Sequence, residues 1–401
     1  MIPKHASDDA LLVRILGRSR SLFADDISDR AGRLADSIAD RRLLIVGAGG
    51  SIGSAFVKQL VQFRPAALHL VDINENALVE LVRDLRSSPL VLPTDFRTVS
   101  IDFGASEFAR FAKDRGSYDA LFNFAAMKHV RSERDVYSLL RMIEVNVESL
   151  KRCLDGAGRP GFARVFSVST DKSVRPANLM GATKNLMERV LFKEGTTAVA
   201  TTARFANVAF SAGSLLEGFE HRLRKRQPIA APTDVQRYFM SHQEAGELCL
   251  LAGFLGEHRQ VFFPKMRSAE NLKSFSDIAA AFLRHHGYEP QVCASEHEAI
   301  AAMGTSRDKW PCYFSASGTT GEKSVEEFHR EIDIVDVETY RAVATTREAP
   351  ADPAVIEGFL AEIARIRRAP RWSKADVVAA IRSAVPELVH CELDRNLDQK
   401  M

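Results

Sequence analysis

The sequence predicts an α/β protein built on a doubly wound parallel sheet. Three observations carry that expectation. Short apolar runs alternate with segments of helical length. The first run closes in a glycine-rich turn, Gly47-Ala48-Gly49-Gly50-Ser51-Ile52-Gly53. The second closes on an acid, Asp72. Strands that are apolar nearly throughout, with helices between them, belong to a parallel sheet covered on both faces.

Residues 8–40 are polar, with apolar positions at Leu12, Ile15, Leu16, Leu22, Phe23, Ile27, Leu34 and Ile38. That punctuation predicts two or three amphipathic helices in an N-terminal extension over 1–40. Six strands are expected next, over 43–46, 67–71, 98–101, 120–124, 164–168 and 198–203. They assign 41–205 to a dinucleotide-binding unit. Beyond it, Gly213, Pro228, Pro232 and Pro264 break shorter elements, with helices expected near 243–254 and 272–286. Residues 206–345 read mainly as a smaller substrate lobe over the carboxyl edge of the sheet, where ligands bind in such folds. Residues 345–353 read as a linker into a helical tail over 346–401, with Ser373 capping a helix through Ser383.

The bulk numbers exclude several classes. Among 401 residues, Lys+Arg 54 against Asp+Glu 52 leaves a net charge of +2, which argues against a nucleic-acid binder working through bulk charge. Cys153, Cys249, Cys293, Cys312 and Cys391 are scattered without a CxxC pair, as reduced thiols of a cytosolic protein would be. No apolar run approaches the roughly 20 residues of a membrane helix, and the start Met-Ile-Pro-Lys-His lacks an apolar signal core. A soluble, cytoplasmic protein without a membrane or nucleic-acid partner is expected. No histidine spacing suggests a metal, and His285-His286 reads as a helix end.

The glycine turn carries the first chemistry. Glycines at 47, 50 and 53 permit a tight turn and a close approach of backbone to a pyrophosphate. The helix opening at Ser51 and Ile52 supplies amide donors and a positive dipole end. Asp72, nineteen residues after Gly53, suits a ribose hydroxyl pair. No arginine follows in Asp72-Ile73-Asn74-Glu75-Asn76, so a 2′-phosphate would meet only negative charge, and NAD is expected over NADP. Asp102 reads either as an acceptor for the adenine amino group or as a helix cap. Ala125 and Ala126, followed by Lys128 and His129, would border the nicotinamide end.

With Asn146-Val147, Ser169-Thr170-Asp171-Lys172, Met180-Gly181-Ala182-Thr183-Lys184, Arg204-Phe205-Ala206-Asn207-Val208 and Arg237-Tyr238-Phe239-Met240, these segments appear in an order and at spacings that resemble the extended short-chain dehydrogenases/reductases. More narrowly, they resemble the nucleotide-sugar 4,6-dehydratases of bacterial polysaccharide biosynthesis. The resemblance covers about residues 41–345. Trp310-Pro311, Gly318-Thr319-Thr320-Gly321-Glu322-Lys323 and the ending Asn396 to Met401 are similar to a soluble subgroup associated with N-acetylated sugar nucleotides.

The resemblance implies a Rossmann sheet, bound NAD and a redox-neutral reaction. Hydride leaves sugar C4, water is lost across C5–C6, and hydride returns to C6, giving a 4-keto-6-deoxy sugar. It also implies a homo-oligomer, a dimer or higher, since members usually pair through two helices each. The residues agree with this chemistry. Lys184 lies one helical turn after Met180 and is placed to hold the nicotinamide ribose. Asp171 is assigned the proton for the departing C6 hydroxyl, Lys172 the C5 proton, and Thr170 the C4 oxygen. Lys172 would then titrate well below its free value of about 10.4. Met180 stands where the superfamily usually has a proton-transferring tyrosine, and a thioether cannot exchange a proton. By resemblance Arg237 clamps the substrate diphosphate. Lys128, His129, Asn207 and Ser214 are further substrate candidates. UDP-N-acetylglucosamine is the expected substrate. The alternatives are GDP-N-acetylglucosamine, a 4-epimerase sharing fold and cofactor, and a non-catalytic dinucleotide sensor.

Overall fold

The computed structural model of the protein describes residues 6–155, 161–266, 272–317 and 326–390. The segments 318–323 and 396–401, singled out above, lie outside those residues, as does Cys391. The apolar runs become strands β1 (Arg42–Val46), β2 (Ala67–Asp72), β3 (Asp95–Ser100), β4 (Ala120–Asn123), β5 (Arg164–Thr170) and β6 (Val199–Phe205), parallel and in the order β6-β5-β4-β1-β2-β3. Leu43, Leu44 and Ile45 are fully buried, as a strand covered on both faces requires. The chain runs outward from β1 through β2 and β3, then returns to lay β4 on the other side of β1. That reversal opens a crevice at the carboxyl ends of β1 and β4.

Helices α1 (Ala6–Leu16), α2 (Ala24–Asp29) and α3 (Ala31–Ile38) precede the sheet. Between strands run α4 (Ser51–Leu60), α5 (Glu75–Arg86), α6 (Ser106–Asp114), α7 (Val136–Ile143), α8 (Ser149–Asp155) and α9 (Leu179–Leu191). Residues Glu144–Glu148 join α7 to α8 through a wider, π-type turn. The remaining elements are β7 (Asn207–Val208), α10 (Leu215–Arg224), β8 (Ile229–Pro232), β9 (Gln236–Met240), α11 (His242–Leu250), β10 (Gln260–Pro264), β11 (Leu272–Ser274), α12 (Phe275–His285), β12 (Glu289–Cys293), α13 (Glu296–Ala301), β13 (Lys309–Ser315), β14 (Val335–Asp336), β15 (Val343–Arg347), α14 (Pro353–Arg368) and α15 (Lys374–Ala384). Two small sheets, β11-β9-β7 and β12-β13-β8, build the second lobe. Its own apolar cluster takes Leu11, Ile15 and Leu16 from α1 together with Phe219, Phe282 and Trp310.

Two expectations about layout change. Position 205 is not a spatial boundary, because β10 pairs with β6 and carries the main sheet to nine strands through β15 and β14. Residues 345–347 are not linker. Thr345 and Thr346 are buried in β15, paired antiparallel to β10, a setting that suits β-branched side chains. The short strands β7, β8, β9, β11, β12 and β13 were not anticipated individually, since few of them is a continuous apolar run.

The C-terminal helices lie against α7 and α9. Arg367 reaches both Glu148 carboxylate oxygens at 2.8 Å. Glu387 accepts from Arg189 at 2.5 Å, and the Val389 N–H donates to the Pro176 carbonyl at 2.9 Å. Ser373 caps α15 by accepting from the Asp376 N–H at 3.4 Å. No helix among the described residues is long and apolar enough to cross a membrane.

Candidate active site

The glycine turn joins β1 to α4. Gly47 has φ +72°, and a Cβ there would lie 2.5 Å from the Ala125 nitrogen. A Cβ on Gly53 would collide with the Gly47 carbonyl oxygen. Side chains are therefore excluded at these two positions, and there the backbone itself faces the crevice. The Gly50–Ser51–Ile52 segment opens α4, and Ser51 Oγ accepts from the Ala212 N–H at 2.8 Å, tying the turn to the second lobe. At the end of β2, Asp72 accepts from the Gly49 N–H at 2.8 Å and from the Asn74 N–H at 2.9 Å. A carboxylate has about four acceptor positions, so capacity for ribose hydroxyls remains. Of the two readings of Asp102, the helix cap is not the one found. It accepts from the Gly104 N–H at 2.8 Å and pairs with Arg141, and it does not cap α6, whose N-cap residue is Ala105.

The end of β4 leads into Ala125 and Ala126, both half-buried. Asn146, on the wide turn after α7, holds this stretch: its Oδ1 accepts from the Met127 N–H at 2.8 Å, and its Nδ2 donates to Thr183 Oγ1 at 2.9 Å. Wide helical turns of this kind are frequent at functional sites. Lys128 and His129 stand exposed at the rim. Crowding by the surrounding protein lowers the affinity of both for protons, with Glu217 opposing the effect. A side chain on Gly213 would collide with the His129 ring. Ser214 caps α10 by accepting from the Glu217 N–H at 3.2 Å.

The densest chemistry sits where β5 turns into α9. Thr170 Oγ1 donates to Asp171 Oδ1 at 2.8 Å, and Lys172 Nζ donates to the same oxygen at 3.1 Å. Asp171 is only 6% exposed, which sets this pair apart from a solvated loop ion pair. Asn178 caps α9 by accepting from the Gly181 N–H at 2.8 Å. On the first turns of that helix, Met180 and Lys184 are both buried. Lys184 Nζ donates to the Val168 carbonyl at 2.8 Å, and burial brings its ammonium down to about 8 against a smaller opposing pull from Glu188.

Beneath this turn lies a buried charge network. Glu188 accepts from Ser169 Oγ at 2.5 Å, from Ser173 Oγ at 2.8 Å and from Arg204 at 2.7 Å. Arg204 also donates to Glu348 at 2.8 Å and to the Phe328 carbonyl at 2.9 Å. Burial opposes the Glu188 charge, yet Arg204 and the two hydroxyls hold its carboxyl below the ordinary range. A cleft of about 270 Å³ opens behind the network, away from the glycine turn, between α9 and the segment 348–355.

One residue that sequence reasoning missed is Glu326. Its carboxylate accepts from Asn207 Nδ2 at 2.7 Å and from the Tyr238 N–H at 3.2 Å. It shares a field with Asp171, Lys172 and Arg237. Burial first, then the Asp171 charge, push it up to about 7. The only signal in the sequence is the Glu326-Glu327 doublet in Ser-Val-Glu-Glu-Phe, which reads as a solvated turn. Arg237, on β9, is buried and donates to the Gln236 carbonyl at 2.7 Å.

A glycine turn at the crevice, an acid ending β2 and a Thr-Asp-Lys turn before a Met-x-x-x-Lys helix define a Rossmann protein of the extended short-chain dehydrogenase/reductase type. The chain belongs to the polysaccharide biosynthesis protein family, whose model matches residues 43–344. It is 31% identical over 258 residues to an uncharacterized membrane protein of Methanocaldococcus jannaschii, covering 63% of this chain and 74% of that one. To the probable polysaccharide biosynthesis protein EpsC of Bacillus subtilis it is 27% identical, over 75% of this chain but only 50% of the relative. To a UDP-N-acetylglucosamine 4,6-dehydratase (inverting) of Campylobacter jejuni it is 26% identical, over 57% of this chain and 68% of the relative. Among solved structures, Pen from Bacillus thuringiensis superposes with a TM-score of 0.62 at 21% identity, over 79% of this chain and 90% of that one. The Bordetella bronchiseptica enzyme WbmG in complex with NAD and UDP superposes with a TM-score of 0.51 at 16% identity, over 74% and 91%. These two likenesses concern the fold, and the expected Rossmann class is the one found.

Proposed function

We propose that the protein is an NAD-dependent 4,6-dehydratase of a nucleotide-diphospho-N-acetylhexosamine, with UDP-N-acetylglucosamine the favoured substrate. The observation that carries the reading is the buried Asp171 carboxylate bonded to both Thr170 and Lys172, beside a methionine where a proton-transferring tyrosine would stand. The relatives named UDP-N-acetylglucosamine 4,6-dehydratase support the same class.

The residues fit the cofactor. The turn at Gly47 and Gly53 leaves a cradle that a Cβ would fill, α4 presents its N-terminus there, and Asp72 keeps acceptor capacity for the ribose. Lys184 lies on the nicotinamide side. Bound there, NAD supplies a hydride acceptor for C4 and donor for C6, so no external reductant is consumed.

The protein must move two protons. Lys172, in its neutral form after passing its own proton to water, takes the C5 proton, exchanges with solvent, and delivers a proton to C5 when C6 is reduced. The C4 hydroxyl proton is consumed by the departing C6 hydroxyl, which leaves as water. A route for that second proton is in place without a tyrosine. Thr170 hydrogen-bonds the C4 oxygen and donates to Asp171 at 2.8 Å, and Asp171 protonates the leaving group. Met180 then needs no proton chemistry and serves as an apolar wall. Arg237 clamps the diphosphate.

Mass spectrometry of the protein incubated with UDP- or GDP-N-acetylglucosamine, without added reductant, tests the reading. A product lighter by one water is expected, and the productive substrate names the base. An isomer of unchanged mass would replace the dehydratase with an epimerase. No product from either would remove the reading.

Lys184 adds a pH dependence. Its folded value of about 8 lies below the unfolded one, so the ammonium is lost as pH rises through about 8. NAD affinity, measured calorimetrically between pH 6.5 and 9.5, is expected to weaken across that step (~3–10-fold). Lys184→Arg, which stays protonated, should show no such step. A flat wild-type profile would remove the ammonium from cofactor binding.

A further inference from the structure

Asn207 sits half-buried on β7, two residues beyond the carboxyl end of β6, with its amide nitrogen 2.7 Å from Glu326 Oε1. The other Glu326 oxygen accepts from the Tyr238 N–H of β9, the residue after Arg237. Glu326 is only 7% exposed, so these contacts hold it in one place. Through one carboxylate, the tail segment after 325 ties together the strand that bears Asn207 and the strand that bears Arg237. An ionised carboxylate accepts hydrogen bonds and donates none. It therefore selects the amide orientation with Nδ2 turned toward it, and leaves Asn207 Oδ1 on the opposite side as an acceptor.

We propose that Glu326 is a specificity-determining positioning residue, which fixes the Asn207 amide against the Arg237–Tyr238 strand so that its acceptor end is offered to a donor on the sugar of the bound nucleotide sugar, a hydroxyl or the acetamido N–H. The inference rests on the nucleotide-sugar reading above. Glu326 makes no contact with the reacting carbons in this role and acts through Asn207.

The charges facing Glu326 make the arrangement sensitive to protons. Asp171 raises its proton affinity, while Arg237, Lys172 and the Tyr238 N–H lower it; burial is the largest influence, and the carboxyl stands at about 7. The Tyr238 phenol feels the same charge and is raised by burial and by Glu326. A protonated Glu326 becomes a donor on one oxygen and no longer forces the Asn207 orientation. Affinity for the nucleotide sugar should then fall as pH drops through about 7.

The sign for stability is opposite. The folded value lies above the unfolded one, so the folded state binds this proton more tightly. Its stability falls as pH rises from about 4.5 to about 7. Replacing Glu326 with a neutral isostere removes that burden at high pH. A group that served only as a structural acceptor would instead weaken the fold when replaced.

The test compares wild type with Glu326→Gln, both loaded with NAD. The measurements are affinity for UDP-N-acetylglucosamine and for UDP between pH 5.5 and 8.5, kcat and KM, and melting temperature at pH 8. At pH 8 the variant is expected to bind the nucleotide sugar about tenfold more weakly, the effect of one misplaced hydrogen bond, with kcat within about threefold. UDP affinity should hold, the melting temperature at pH 8 should hold or rise, and the step near pH 7 should vanish. An unaltered affinity and pH profile would overturn the proposal. So would an equal loss for UDP, or a lower melting temperature at pH 8. If the wild type itself bound neither compound, the nucleotide-sugar reading would fall and take this inference with it, whereas an unaffected variant of a binding-competent protein would sink the inference alone.

Discussion

Asp171→Asn and Lys172→Ala are each expected to lower turnover by about 10²–10⁴-fold, the usual worth of a positioned acid or base. Asparagine keeps an oxygen that can accept from Thr170 Oγ1 and Lys172 Nζ, now at 2.8 and 3.1 Å. The turn should keep its shape, and the loss falls on the proton that the departing C6 hydroxyl requires. Alanine at 172 removes the group that receives the C5 proton. Asp171 is nearly buried, so its charge without Lys172 is poorly compensated, and a modest loss of thermal stability should accompany the kinetic one. The two defects differ in solvent deuterium. A product formed slowly by Asp171→Asn should still carry deuterium at C5, because Lys172 exchanges with water, while the residual product of Lys172→Ala should not follow the same exchange. Steady-state turnover by mass spectrometry is the primary readout. Near-wild-type rates in both variants would remove the pair from the chemistry.

The pair was legible because it lies in one strand–turn–helix unit. Ser169 to Lys184 spans sixteen positions, and the local rules of strand end, N-cap and helical repeat place every member without long-range information. The parallel sheet was legible for a similar reason, since strands buried on both faces must be apolar throughout. What was not legible depends on distant partners. β15 contains Thr345 and Thr346, which in isolation suit a linker; they form a strand because β10 lies beside them. The expected boundary at 205 failed on the same pairing. Glu326 is the sharpest case. A glutamate doublet after a polar stretch predicts exposure, yet contacts to Asn207 and Tyr238, 119 and 88 positions away, bury it. Asp102 shows the converse: a strand-end acid can be read from sequence, but its partner Arg141 cannot.

Arg204→Met is expected to destabilise the fold by about 3–5 kcal/mol, the cost of breaking a buried pair from one side. Arg204 is 3% exposed and Glu188 5%. Methionine fills much of the arginine stem's volume, so the loss is electrostatic rather than a cavity. It strands the Glu188 carboxylate and releases the Phe328 carbonyl; Glu348 retains Arg330 at 2.9 Å. The cleft behind α9 admits some water, which favours the lower end of the range. The pH dependence identifies the cause. In the wild type the folded Glu188 carboxyl sits below its unfolded value, so its contribution is present above about pH 4.3 and is lost as pH falls through the folded value. In the variant, burial is no longer answered by Arg204, the folded value rises above the unfolded one, and the penalty grows as pH rises from about 4.3. The difference between the two proteins should therefore widen from acid to neutral pH. Adding Glu188→Gln to Arg204→Met should recover much of the loss, because it removes the stranded charge while keeping an acceptor for Ser169 and Ser173. Denaturant melts of the three proteins at pH 4.5 and 7.5 decide it. A loss below about 1 kcal/mol, or one that neither pH nor the second substitution moves, would mean that the network is not held by charge. The outcome bears on the chemistry as well, because Ser169 and Ser173 flank Asp171 and Lys172 and take their position from the same carboxylate.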